Sequence, residues 1–581
     1  MITQKGKSSM AYPQPLSQDE IDSMSATLFA EGGIFAVRPM TVGGVAYERV
    51  FEKSAASIRD LLAAKSAEFS DRPFLVYGDE RTSFGEVWAR SMRFAHHLQT
   101  RYGIGPGQRV AIAMRNYPEW AMAYFGIVAS GATVVPLNAW WGGDEMRDGL
   151  IRCGARLVVA DEKRAAALAP AKAALDLTLI GVRGEVPQAE ERLEDILNDH
   201  TLPGSPPPVA IAPDDDFCLL FTSGSTGQPK GVLLTHRSAA NAVLSWHFMA
   251  NLAQRLRPDF TFMPEEPASL LALPLFHVTA SHSILMLSFL TGRKIVFMHK
   301  WDAREAGRLI REERVTNFLG VPTMAHDLTR NAAPGDLETL IDMTTGGAKR
   351  PEIQMKEQAA RFPEKAIASG YGLTETNGLG CHITMQDFLD RPSSTGRAIP
   401  PVTTLEAFDE DGRQLRRGEV GEICVKSPAT FRAYLDDEQA TTAAYFEGGW
   451  FRTGDLGYVD EAGYLFIVDR KKDLIIRGGE NIACLEVENA LLSFPDVFEA
   501  SVFAVPDATY GETVGALIYG VDGELVSLRQ LEAFMRAKLA PFKVPSHYWQ
   551  SAEPLPRGTT GKIDKRAIRD WARGREADLS V

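Results

Sequence analysis

Eleven residues near the middle of the chain have the types and spacing to hold a polyphosphate. They read Phe221-Thr222-Ser223-Gly224-Ser225-Thr226-Gly227-Gln228-Pro229-Lys230-Gly231. Hydroxyls interleaved with glycines let backbone N–H groups approach phosphate oxygens closely, and Lys230 adds a point charge. A kinase-type phosphate loop needs Gly-Lys-Ser/Thr opening a helix. Here Pro229 precedes the lysine, Gly231 follows it, and residues 232–234 look like a strand. The spacing therefore predicts a glycine-rich hairpin, and a plain flexible turn is the alternative for such a loop taken alone.

The elements around it read as alternating strands and helices. Residues 58, 61 and 62 share one helical face. Pro73–Tyr77 reads as a strand, and Ser83 with Glu86 forms a capping box that opens a helix. Residues 109–114 read as a strand, 118–130 as a helix ending at Gly131, and Thr133–Pro136 as a strand. This rhythm predicts parallel sheets covered by helices. The Pro- and Asp-rich stretch 201–216 reads as a connection between two α/β subdomains. Beyond about residue 473 come short strands such as 501–505 and a helix capped by Ser527 with Gln530. These predict a small α+β domain.

Composition narrows the classes. The 581 residues suffice for several cores. A net charge of −13 argues against non-specific nucleic-acid binding. None of the five cysteines sits in a CxxC pair, which fits a reducing cytoplasm and disfavours a disulfide framework or a zinc site. The N-terminus has no apolar signal core. Residues 267–292 carry no Asp, Glu, Lys or Arg, but Pro274, His277, Ser281 and His282 interrupt them. A buried strand, loop and helix is expected there rather than a membrane span.

The glycine-rich stretch resembles the phosphate-loop signature of the adenylate-forming superfamily of acyl- and aryl-CoA synthetases, peptide-synthetase adenylation domains and luciferases. Further motifs follow in that family's order. Tyr371-Gly372-Leu373-Thr374-Glu375 resembles its adenylate and magnesium motif, and Thr453-Gly454-Asp455 its ribose motif. Asp469-Arg470-Lys471-Lys472-Asp473 resembles its hinge, Gly478-Gly479-Glu480-Asn481 its thiolation loop, and residues 558–565, GTTGKIDK, its C-terminal lysine motif. The resemblance implies an α/β fold: a large N-terminal domain of layered subdomains with a small β-barrel-like one (residues 51–471), then a small mobile α+β domain (472–581). Residues 1–50 read as an extension.

The resemblance also implies an ATP-dependent, AMP-forming acid–thiol ligase using ATP, Mg²⁺ and coenzyme A. Thr222 to Gly227 and Lys230 would hold phosphates. Lys562 would bridge the substrate carboxylate and the α-phosphate, Thr374 would donate to that phosphate, and Glu375 would hold Mg²⁺. Asp455 and Arg470 would bind the ribose hydroxyls, and Gly346, Gly347, Ala348, Tyr371 and Gly372 would form the adenine slot. Rotation at Lys472 would withdraw Lys562 and bring Gly478, Glu480 and their neighbours Gly479 and Asn481 beside the adenylate.

Amino-acid-activating relatives carry an Asp where this chain has His277, so amino acids are disfavoured. His277 reads as a gate to the acyl pocket, with a satisfied core histidine as the alternative. Ala280, Ser281, Val321, Gly346 and Gly378 predict a wide pocket for a medium- or long-chain fatty acid or a bulky hydrophobic acid. A carrier-protein-loading enzyme, an aryl-acid ligase and a degenerate nucleotide-binding regulator remain alternatives. Peripheral membrane contact and a homodimer stay open.

Overall fold

A computed structural model describes residues 15–222, 229–348, 350, 352–558 and 563–581. Its first layer, among the described residues, is an eight-stranded sheet. The parallel strands Arg109–Ala113, Thr133–Pro136, Leu157–Asp161 and Thr178–Val182 form its middle. The antiparallel pair Asp216–Thr222 and Lys230–Thr235 lies beside Thr133–Pro136. Strands buried on both faces need continuous apolar runs, and Val158, Val159 and Ala160 are all fully buried.

The second sheet is larger. Its parallel half contains Lys294–Phe297, Ala268–Leu271, Asn317–Gly320, Asp342–Gly346 and Ala366–Tyr371. Antiparallel strands extend it through Cys381–Thr384 and Gly396–Ala398 to Tyr464–Arg470 and Trp450–Val459. The β-barrel-like part expected from the sequence corresponds to this antiparallel wing, which hydrogen-bonds directly onto the parallel half. Between the layers run two helices buried along most of their length, Pro118–Ala129 and the first half of His236–Leu256. Phe289 packs there against Phe74, Phe84, Trp88 and Phe125. A small C-terminal domain has its own six-stranded sheet and core, built around the pair Val497–Asp507 and Gly511–Gly520.

The expected strands at Pro73–Tyr77 and Thr133–Pro136 form as read, and Ser83 and Glu86 make their capping box. Other readings need correction. The 201–216 connection leads between strands of one sheet, from Glu191–Arg192 and the helix after it to Asp216–Thr222, so it does not separate two subdomains. Ser527 precedes Leu528–Lys538 but makes no side-chain cap bond, so no capping box forms with Gln530. The strand read at 501–505 runs from Val497 to Asp507, because its pairing with Gly511–Gly520 continues past the apolar stretch. Residues 267–292 are a strand, Ala268–Leu271, then a π-helical turn, Thr279–Met286, running into Leu287–Thr291. Among the described residues, no helix is long and apolar enough to cross a membrane.

Residues 15–50 are more than a loose extension. They hold the helix Gln18–Ala30 and a β-hairpin, and Leu28, Phe35 and Val50 are buried. Phe29 stacks on Phe248 with ring centroids 5.3 Å apart.

Candidate active site

The C-terminal ends of the parallel strands in the second sheet open onto a cavity of about 1730 Å³, between the large and small domains. Residues on both flanks of the glycine-rich stretch, Thr222 and Lys230, line it. They face each other as the last register pair of their hairpin. Ser223, Gly224, Ser225, Thr226, Gly227 and Gln228 lie outside the described residues.

The strand Asp342–Gly346 delivers Gly346, Gly347 and Ala348 to the cavity, and its neighbour Ala366–Tyr371 delivers Tyr371. The chain then turns sharply. A Cβ on Gly372 would stand 2.1 Å from the carbonyl oxygen of Gly378, so this position accepts no side chain without moving the backbone.

Tyr371 donates its hydroxyl to Asp455 Oδ2 at 2.6 Å. Burial, reinforced by that carboxylate, pushes the phenol's pKa well above its ordinary value, so the proton stays in place to be donated. Asp455 Oδ1 lies 3.2 Å from Arg470 Nε. The two are cross-strand partners on Trp450–Val459 and Tyr464–Arg470, which explains how residues fifteen positions apart meet. Asp455 is buried and Arg470 half-exposed, so the buried oxygens face a cation that can still swing toward a ligand.

Glu375 follows on the short helical turn Thr374–Thr376. Its Oε1 accepts the Tyr434 hydroxyl at 2.9 Å. Lys230 Nζ sits 4.7 Å above the Tyr434 ring. Burial raises the pKa of Glu375, opposed by the Tyr434 hydrogen bond and by Arg470 and Lys230. A desolvated carboxylate facing a cavity favours a cation beside it. Tyr434 belongs to none of the motifs. It comes from the short strand Ala433–Tyr434, which pairs with Lys230–Thr235, and nothing local in the sequence marks it.

His277 lines the cavity with Val278, Val321 and Gly378. Ala280 and Ser281, read as pocket residues, lie outside it. Both are fully buried in the π-helical turn, and Ser281 Oγ donates to the His277 carbonyl at 3.1 Å. The wider helical turn carries them away from His277's face. Apolar side chains, including Leu273, Ile284, Leu287 and Leu319, line the same cavity.

The small domain contributes unequally. Lys472 lines the cavity, its pKa lowered by burial and by Arg470. Lys562 lies outside the described residues, but Gly558 and Ile563 on either side of residues 559–562 line the cavity. Gly478, Gly479, Glu480 and Asn481 do not. Gly478 and Gly479, with φ of 59° and 92°, form the tight turn of an exposed hairpin pointing elsewhere. Two further junction residues lie inside the hinge and C-terminal lysine motifs, but the motifs do not give their partners. Buried Asp469 accepts the backbone N–H of Leu485 at 3.4 Å, tying the large domain to the start of a small-domain helix. Lys565 pairs with Glu488 at 2.8 Å; burial works against its charge, yet Glu488, with Cys484 and Asp469 nearby, holds its pKa above the ordinary lysine value.

Family models decide the relationship. The AMP-binding enzyme family matches residues 62–435 and the AMP-binding enzyme C-terminal domain matches 486–562. The chain belongs to the AMP-binding enzyme family. It is 34% identical over 496 residues to a long-chain-fatty-acid–CoA ligase of Mycobacterium tuberculosis, covering 85% of this chain and 93% of that protein. It is 32% identical to a feruloyl-CoA synthase of Amycolatopsis, covering 85% and 94%. ATP-bound MatB of Rhodopseudomonas palustris superposes with a TM-score of 0.78 at 27% identity, covering 89% and 99%. With this membership comes the reaction class: the protein is an AMP-forming acid–thiol ligase that uses ATP.

Proposed function

We propose that the protein converts an acid with an apolar body, a medium- or long-chain fatty acid or a bulky hydrophobic acid, into its acyl-adenylate and then its coenzyme A thioester. The observation carrying this reading is the continuity of one cavity. Tyr371, Asp455, Arg470 and Glu375 line it together with His277 and apolar side chains.

In the first half-reaction a carboxylate oxygen attacks the α-phosphorus of ATP, the bond to the β-phosphate oxygen breaks, and pyrophosphate leaves. Both reactants are anionic, so alignment and charge neutralisation carry the catalysis. Asp455 accepts the ribose hydroxyls, taking over from the Tyr371 hydroxyl and Arg470 that now face it. Gly346, Gly347 and Ala348 leave room for the base against bare backbone. Thr374 donates to the α-phosphate. Lys230 and Lys562 balance the charge of the phosphates and the carboxylate. Mg²⁺ needs one or two carboxylates plus phosphate oxygens and water. Glu375, partly buried and with its Oε1 accepting from Tyr434, fits that demand, and the ion would supply charge neutralisation for departing pyrophosphate.

In the second half-reaction the thiol sulfur attacks the acyl carbon, AMP leaves with the bonding pair, and the thiol proton passes to solvent. Residues 478–481 must then reach the cavity, so we assign Lys472 as the hinge between a large domain at 51–471 and a small one at 472–581. Five buried cysteines without disulfides fit work in a reducing cytoplasm. A panel of carboxylic acids incubated with ATP and coenzyme A, scored for AMP release, tests the reading. Release of ADP, or no acid-dependent AMP, would overturn it.

A further inference from the structure

Besides apolar side chains, the cavity is lined by a polar cluster set along the parallel strands. Ser269, Asn317 and Asp342 stand in one register row across three adjacent parallel strands. Residues sharing a row point to the same face of a sheet. Arg293, just before the strand Lys294–Phe297, reaches over them, with Nη1 3.4 Å from Ser269 Oγ. All four line the cavity.

Arg293 is poorly served by the protein. Its Nε is buried and has no hydrogen-bond partner among the described residues. Nor does any described carboxylate come within the 4.0 Å of an ion pair. Burial lowers its pKa, with Asp342 the carboxylate that opposes this. Asp342 has one oxygen engaged by the Thr344 hydroxyl at 2.7 Å. The guanidinium and the carboxylate face one cavity without an ion pair between them, and Arg293 is left with a buried N–H unserved, a costly arrangement beside apolar side chains. The gap between them is the place for a ligand atom.

Distance fixes where that atom sits. Asp342 and Gly346 are four residues apart on one strand, so the floor lies roughly 13 Å from the glycine end at about 3.3 Å per residue. On the ligase reading, on which this inference rests, the substrate carboxylate sits at the glycine end.

We propose that the acyl pocket is built for an acid whose far end, roughly 13 Å from its carboxylate, carries a neutral oxygen, a hydroxyl above all, held between Arg293 and Asp342. A hydroxyl accepts from the guanidinium and donates to the carboxylate, so it satisfies both. A second carboxylate would suit Arg293 but meet Asp342 as a like charge. A bare methyl would leave both groups unpaired. Sites built to bind a substrate hydroxyl reject the analogue lacking it far more strongly than apolar pockets reject an extra methylene.

The test compares AMP release by the full-length enzyme with 10-hydroxydecanoate, decanoate and decanedioate under the same ATP and coenzyme A. The wild type is expected to favour the hydroxy acid over decanoate by at least about tenfold in kcat/KM, with the diacid below both. Arg293→Leu is expected to reverse the order of the first two, and Arg293→Lys to restore part of the preference. An ATP-induced thermal shift of wild-type size shows that each variant is folded. The wild-type ratio alone decides if the leucine variant fails that check. Equal or better use of decanoate by the wild type, or turnover of none of the three, overturns the proposal. If other acids in a wider panel still release AMP, the ligase reading stands; if none does, that reading falls as well.

Discussion

Two segments of the small domain are placed in opposite ways. Gly558 and Ile563, on either side of residues 559–562, both line the cavity. The Gly478–Gly479 turn, with its exposed neighbours, faces away. On the proposed reading one rigid arrangement cannot serve both, and the difference would separate the half-reactions in space. The large-domain groups, by contrast, are held by cross-strand pairing and a buried carboxylate, and need not move.

The strongest way to break this contrast is Lys562→Ala. Adenylate formation, read by pyrophosphate exchange, should fall about 10²–10³-fold, the usual cost of losing one electrostatic contact to a transition state. Thioester formation from supplied acyl-adenylate should stay within a few-fold of wild type. Equal loss in both assays would refute the division of labour.

Gly479→Val tests the other segment. At φ 92° a β-branched residue is strained, and on the proposed reading its bulk would lie where the thiol arm passes. Thioester formation should drop by about tenfold or more while pyrophosphate exchange is unaffected, and a drop in exchange instead would place this turn in the first step.

Asp455→Ala removes the acceptor assigned to the ribose in both half-reactions. ATP affinity by calorimetry should weaken by about tenfold, matching the roughly 1.5–3 kcal/mol of hydrogen bonds to a charged group. Unchanged affinity would remove Asp455 from the ribose site.

The smallest effect is expected from Tyr434→Phe. The Tyr434 hydrogen bond lowers a Glu375 pKa that burial raises, so losing it moves that pKa higher. Activity that needs ionised Glu375 is lost as pH falls through its pKa. The acid limb of the adenylation profile should therefore shift to higher pH, with only a few-fold loss at the optimum. A limb that stays put would mean that Glu375 does not set it.

The sequence made much of this legible, because motif residues come as short runs that local backbone geometry can display. The strand carrying Asp342–Gly346 and the turn carrying Thr374 and Glu375 are of that kind. The partners were hidden for the opposite reason. Tyr434 meets Glu375 across 59 positions, and Asp469 meets Leu485 across a domain junction, so no window contains both members. The misplacement of Ala280 and Ser281 has a local cause. A π-helical turn rotates successive residues less than an α-helix does, and the pattern that would distinguish the two is not written in residue type.

All five cysteines are buried, and none forms a disulfide. Cys381 is the one whose strand neighbour, Tyr371, borders the nucleotide end, and burial pushes its thiol up to about 12. An enzyme that prepares an activated acyl group for sulfur must keep that group from its own sulfur. Here the competing nucleophiles are protonated and walled off, so self-acylation is suppressed without any dedicated shield. The same property has a bench use: a thiol-reactive dye added to the native enzyme should count the co-substrate's sulfur alone.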